Sequence, residues 1–134
     1  MASTDERIRV LIAEDNLDLS TAVAAVLGAE PDIDVIGETD RAGKLLAAAR
    51  SGNAQVVILD LNLSGESSLP AMETVRREMP GIAVVVYSGY DRCDIASALP
   101  ALGSCEYVSK TGEVSELLAA VRRAARNGAA DAGG

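Results

Sequence analysis

The stretch Gln55-Val-Val-Ile-Leu-Asp60, continuing as Leu61-Asn-Leu-Ser-Gly65, decides how this chain folds. Four apolar residues, three of them β-branched, run without interruption into an aspartate, and the chain then turns polar. Such a run suits a strand buried on both faces, as in a parallel sheet. Asp60 would then stand at the carboxyl end of a central strand, the edge where open α/β sheets bind ligands. A lone buried carboxylate is costly, so a function is one reason for its presence. Capping a turn, a common use of Asp at a strand end, is the other. The run alone leaves the two readings level, and the flanking sequence separates them.

Outward from this strand, the chain alternates strand and helix. Arg7-Ile-Arg-Val-Leu-Ile-Ala13 is a first strand, followed directly by Glu14-Asp15-Asn16. Asp18 is placed to cap a helix with Leu19, Val23, Val26 and Leu27 on one face, stopped at Glu30-Pro31-Asp32. Residues 33–38 form a second strand. A helix over 41–50 turns Leu45, Leu46 and Ala49 inward, and Ser51-Gly-Asn53 ends it, with Gly supplying the left-handed turn. Downstream of Asp60, Leu61 to Ser68 is expected to be a polar, flexible loop. Leu69-Pro70 opens a third helix, where the missing proline N–H costs nothing, and Met79-Pro80-Gly81 closes it. Ile82-Ala-Val-Val-Val-Tyr87 is another fully apolar strand, ending at Ser88-Gly89. A fourth helix from about Asp91, carrying Ile95, Ala98 and Leu99, is expected to break at or before Pro100. Cys105-Glu-Tyr-Val108 is a short last strand ending at Ser109-Lys110-Thr111-Gly112, and a fifth helix carries Val114, Leu117, Leu118 and Val121 at helical spacing. The pattern predicts one α/β domain over residues 1–126. Its core would be a doubly wound, five-stranded parallel sheet with five helices and right-handed crossovers. Residues 127–134 are Ala/Gly-rich and are expected to be a tail or linker.

Composition narrows the function. A chain of 134 residues is one domain with room for a real core. Its charge of −8 argues against nucleic-acid binding by the domain itself. Neither a Lys/Arg cluster nor an aromatic stacking platform is present, with three Tyr and no Phe or Trp. Cys93 and Cys105 lack metal-ligand spacing, which fits a reduced, cytosolic protein. No signal peptide and no membrane-length apolar run is found. With no histidine, Ser-His and Cys-His nucleophile pairs, His-metal sites and imidazole acid–base chemistry are all excluded.

The polar residues can now be collected. Glu14 and Asp15 follow strand one, Asp60 ends strand three, Ser88 ends strand four and Lys110 ends strand five. All lie at strand carboxyl ends, so the fold brings them to one edge of the sheet. Any one alone is more simply a cap or a solvated loop charge, but chance rarely puts four groups at the same end of four strands. Three carboxylates at about 4–5 Å and an effective dielectric near 20 repel by roughly 3–4 kcal/mol per pair. A divalent cation relieves that, and hard oxygen ligands without His or Cys favour Mg²⁺. A lysine and a hydroxyl beside Asp60 would complete a receptor for phosphoryl oxygens, and an aspartate can itself form an acyl phosphate.

On these residues the chain resembles the receiver domain of two-component response regulators, and most of all the NarL-type branch. The resemblance is carried by Ile8-Arg-Val-Leu-Ile-Ala-Glu-Asp15, Glu30-Pro-Asp-Ile-Asp-Val-Ile-Gly-Glu38, Val56-Val-Ile-Leu-Asp-Leu-Asn62 and Tyr107-Val-Ser-Lys110, and it spans about residues 7–126. It implies a flavodoxin-like, receiver-type fold with Asp60 as the phosphoacceptor. It further implies Asp15 as a direct Mg²⁺ ligand, Glu14 acting through a metal-bound water, and Asn62 lending its backbone carbonyl. Ser88 matches the switch hydroxyl, Lys110 the phosphate-binding lysine, and Tyr107 the aromatic whose rotamer follows Ser88. The implied partner is a histidine kinase, with room for a homodimer. The implied role is cytoplasmic phosphorelay signalling that controls transcription. The domain would not be an enzyme beyond its own phosphotransfer and autodephosphorylation.

Several positions depart from the family. Pro is usual where Ser64 stands and Gly where Ser68 stands, changes expected to loosen or re-aim the loop after Asp60. Thr111 follows the lysine, and Pro100 interrupts the fourth helix. The branch normally carries a helix-turn-helix domain after the receiver, and an eight-residue tail cannot hold one. The chain is therefore either cut short or a stand-alone receiver, and the Ala/Gly tail favours the former. Two other readings stay in view. One is a receiver-like interaction module that is never phosphorylated. The other is an aspartyl-phosphate phosphohydrolase, weakened because Asn62 stands where that chemistry wants a second carboxylate.

Overall fold

A computed structural model describes residues 7–89 and 105–133. The apolar runs become five parallel strands of one sheet: β1 (Ile8–Ala13), β2 (Ile33–Thr39), β3 (Val56–Leu59), β6 (Ala83–Ser88) and β7 (Glu106–Ser109). Their spatial order is β2-β1-β3-β6-β7, the flavodoxin-like order of doubly wound folds. Two short strands not foreseen from the sequence, β4 (Asn62–Leu63) and β5 (Glu66–Ser67), form a separate antiparallel pair. The helices among the described residues are α1 (Leu17–Gly28), α2 (Leu45–Gly52), α3 (Leu69–Glu78) and α4 (Val114–Gly133). The expected helix over residues 91–100, with its break at Pro100, lies outside the described residues.

Strand β3 sits at the centre, with Val56–Leu59 in register with Val10–Ala13 on one side and Ala83–Val86 on the other. Successive side chains point to opposite faces, so the sheet divides the core in two. Leu11, Val57, Leu59, Val84 and Val86 pack on Leu45 and Ala49 of α2 and Met72 and Val75 of α3. Val10, Ile12, Val56, Ile58 and Val85 pack on Val23 and Leu27 of α1 and Leu117 and Val121 of α4. Each fully buried aliphatic side chain contributes roughly 1.5–3 kcal/mol, and all four β3 residues are buried.

Several local expectations are corrected. Helix α1 is capped by Asn16, not Asp18. The Asn16 side chain accepts from the Leu19 N–H at 3.1 Å, and Asp18 instead places its charge in the first turn, where the helix dipole favours it. The second helix starts with a 3₁₀ turn at Ala42–Lys44. Its left-handed terminal residue is Asn53 (φ 52°), not Gly52. Gly52 answers to packing, since a Cβ there would lie 2.8 Å from Ile36 Cβ. The segment after Asp60 is no flexible loop but the β4–β5 hairpin, with Ser64 (φ 53°) and Gly65 (φ 82°) at its turn. Both positive φ values are those of the type I′ turn that matches strand twist, and Leu63 is fully buried beneath it. Helix α4 runs through Gly133, past residue 127 where a tail was expected. Alanine is the best helix former, so a started helix propagates through such composition. Arg122 of α4 pairs with Glu30 (2.7 Å) and Asp32 (2.9 Å), tying this helix to the turn before β2.

Candidate functional site

The carboxyl edge of the sheet gathers the predicted residues. Glu14 and Asp15 follow β1, Asp60 follows β3, Ser88 closes β6 and Lys110 follows β7. Parallel strands in register end together, which is why residues 50 and 96 positions apart in the chain meet. Lys110 Nζ donates to Glu14 Oε1 and to Asp60 Oδ2, both at 2.7 Å. A carboxylate oxygen from each of Glu14, Asp15 and Asp60 lies within 4.8 Å of the others.

Burial grades the three acids. Glu14 is buried, Asp60 half-buried and Asp15 exposed. Burial pushes Glu14 up to about 7, and its contact with the Asp60 carboxyl adds to the rise. Burial also acts to raise Asp60. Hydrogen bonds from Glu14, Lys110 and the Asn62 N–H outweigh it, holding the Asp60 carboxyl below the ordinary carboxylate range. The Lys110 ammonium loses solvation but is held above its ordinary value by its bonds to Asp60 and Glu14. Among the described residues, Glu14 Oε2 is the buried side-chain oxygen with no hydrogen-bond partner. An orphaned, buried carboxylate oxygen is costly and wants either a proton or a cation. The donor set is all oxygen, hard and anionic, with one oxygen still unpartnered, and so it fits Mg²⁺.

The remaining predicted residues fall around this centre. Asn62 opens the hairpin, and its N–H donates to Asp60 Oδ1 at 3.1 Å. Ser88 is buried, and its carbonyl accepts from the Lys110 N–H at 2.9 Å, which ties the lysine turn to the end of β6. Tyr107 is half-buried in β7, opposite Val86. Ser64 and Ser68, expected to loosen the loop, fasten it instead. Ser68 is fully buried, and its Oγ donates to the Asp60 carbonyl at 2.7 Å. The Ser64 N–H donates to Asp15 Oδ2 and its Oγ to the Asp40 carbonyl, each at 2.8 Å. Asp40 was missed from the sequence, because a backbone carbonyl used as an anchor leaves no trace in residue type. Thr39 and the Ser20–Glu38 hydrogen bond, which border the same edge, were missed as well.

The sequence profile of the response regulator receiver domain matches residues 10–122. The chain belongs to that family, the receivers of two-component systems. Its likeness is to the NarL branch. It is 29% identical over 119 residues to the transcriptional regulatory protein LiaR of Bacillus subtilis, covering 89% of this chain and 56% of that one. It is 30% identical over 124 residues to the nitrate/nitrite response regulator NarL of Escherichia coli K12, covering 92% and 57%. The chain thus spans a little over half the length of these relatives. Among solved structures, the fold superposes on the receiver domain of a NarL response regulator from Mycobacterium tuberculosis with a TM-score of 0.80. That pair shares 24% identity, with 90% of this chain and 98% of that one covered. A LuxR-family response regulator from Aurantimonas gives a TM-score of 0.82 at 19% identity, covering 90% and 86%.

Proposed function

We propose that this domain is a phosphorylation-controlled switch. Asp60 would take a phosphoryl group from a phosphohistidine of a partner histidine kinase, or from a small phosphodonor. The observation that carries the reading is Lys110 Nζ, held at 2.7 Å from both Glu14 and Asp60. Structural salt bridges seldom need two acids on one lysine beside a third, whereas a phosphoryl receptor needs that charge pattern.

In the transfer, Asp60 attacks phosphorus with a carboxylate oxygen as the donor's bond to phosphorus breaks, P–N in a phosphohistidine or P–O in an acyl phosphate, with the electron pair left on the donor's nitrogen or oxygen. The depressed Asp60 pKa keeps the nucleophile ionised. Lys110 lies against Asp60 and can follow the incoming oxygens. The buried Ser88 hydroxyl is the nearby neutral donor from the adjoining strand end. Glu14, Asp15 and Asp60 would hold Mg²⁺ together with the Asn62 carbonyl, and the ion would supply charge neutralisation for the transferring group. Autodephosphorylation would be the same chemistry with water as acceptor, the domain acting on its own aspartyl phosphate. Leu17, largely exposed two residues after Asp15, offers an apolar contact for a partner. The relatives named above are regulators, and we read the output here as control of transcription through a separate DNA-binding domain.

Intact mass after incubation with acetyl phosphate and Mg²⁺ tests this. The wild type should gain one phosphoryl group and Asp60→Ala none. Equal gain in both proteins, or none in the wild type, would refute it.

A further inference from the structure

The three carboxylates are not held alike. Glu14 is buried and bonded to Lys110, and Asp60 is bonded to Lys110 and to the Asn62 N–H. Asp15 is exposed. What orients it is the Ser64 N–H, 2.8 Å from its Oδ2. Ser64 reaches Asp15 from the tip of the β4–β5 hairpin, and the hairpin is itself pinned. Leu63 is fully buried, Ser68 Oγ bonds the Asp60 carbonyl, and Ser64 Oγ bonds the Asp40 carbonyl after β2. A single residue therefore ties the chain after β3 to the chain after β1 and to the chain after β2. Ser64 does so at φ 53°, a left-handed conformation that a non-glycine residue adopts at a cost and that a packed surrounding must hold.

We propose that Ser64 is a positioning residue for the cation site. Its backbone N–H holds Asp15 Oδ2 and so fixes a carboxylate that has an oxygen within 4.8 Å of those of Glu14 and Asp60. The inference rests on the reading of the acidic trio as a Mg²⁺ site. It adds that the site is organised before the ion arrives, by a main-chain donor that the side chain at 64 does not supply. Partners that orient metal ligands from outside the coordination sphere are worth about 10- to 100-fold in metal affinity. Proline at 64 would remove the donor and cannot adopt φ 53°, whereas glycine keeps the donor and accepts the turn.

The test is a Mg²⁺ titration followed by amide NMR shifts in wild type, S64G, S64A and S64P, with hydrogen exchange of the residue 64 amide as an independent arm. S64G and S64A keep the N–H, and S64P should lose about tenfold or more in Mg²⁺ affinity relative to both. If S64P does not fold, an α-hydroxy acid at position 64 deletes the N–H alone and should show the same loss. In the wild type without metal, the residue 64 amide should be protected, and Asp15→Ala should expose it. Equal Mg²⁺ affinity with and without the N–H overturns the proposal, as does a residue 64 amide indifferent to Asp15→Ala. A wild type that binds no Mg²⁺ while that amide stays protected overturns the metal reading itself, and the positioning role with it.

Discussion

At the scale of single residues, the unusual group is Glu14. It is buried, bonded to Lys110 through one oxygen and orphaned at the other. Its pKa of about 7 in the fold exceeds the ordinary 4.5, so the folded state binds this proton more tightly than the unfolded chain does. That stability is fully present below pH 4.5 and is lost as pH rises through about 7. The amount is about 3 kcal/mol by proton linkage. Asp60 works the other way, since its depressed pKa adds stability above the ordinary 3.8 that is lost as pH falls below it. In EDTA, the metal-free domain should therefore be most stable at mildly acidic pH and weaken toward pH 8. Urea melts of Glu14→Gln should lack most of that upper loss; an unchanged pH profile would show that Glu14 is not its source. Mg²⁺ should offset part of that loss, because a ligand bound only by the native state stabilises it by RT ln(1 + [L]/Kd), about 1.4 kcal/mol at ten times Kd. Thermal melts should rise in millimolar Mg²⁺ for the wild type and hardly move for Asp15→Ala.

At the scale of elements, what was legible in the sequence is what depends on periodicity. The runs 56–59 and 83–88 could be buried only as interior strands, and their ends located Asp60 and Ser88. What stayed hidden depends on contacts distant in sequence. Asn16 and Asp18 are both good caps two residues apart, and only the geometry of the turn selects Asn16. Residues 61–68 are mostly polar, but Leu63 is a plug and Ser64-Gly65 a tight turn, which alternation around a glycine could have signalled. Gly52 passed for a helix terminator when its role is to let α2 approach β2. Gly52→Ala should cost about 1–3 kcal/mol through overpacking against Ile36, and Ile36→Val in the same chain should recover part of it in denaturant melts. Strands β6 and β7 make a second testable unit, paired from Val85 to Ser88 and joined again where the Lys110 N–H meets the Ser88 carbonyl. A phosphoryl oxygen bonded by the Ser88 hydroxyl would draw on this pair. Ser88→Ala should therefore still be phosphorylated by acetyl phosphate but show a smaller NMR shift at Tyr107 than the wild type does. Identical responses would mean that Tyr107 does not follow Ser88.

At the scale of the whole molecule, the sheet separates two cores and presents its polar cluster at one rim, outside both. The same layout predicts an order of events in folding. Strands β1, β2 and β3 are neighbours and lie in the first half of the chain, whereas β7 is an edge strand near its end. Glu14 and Lys110 are 96 residues apart, and contacts that close long loops form late. On that order, the three carboxylates would come together before Lys110 reaches them, and the lysine would act as a clasp on a fold already formed. Lys110→Met should accelerate unfolding and leave the refolding limb of the chevron nearly untouched. A slower refolding limb would place the clasp in the transition state. On this account, the residue that neutralises the site does little to bring the domain into being and much to keep it from opening.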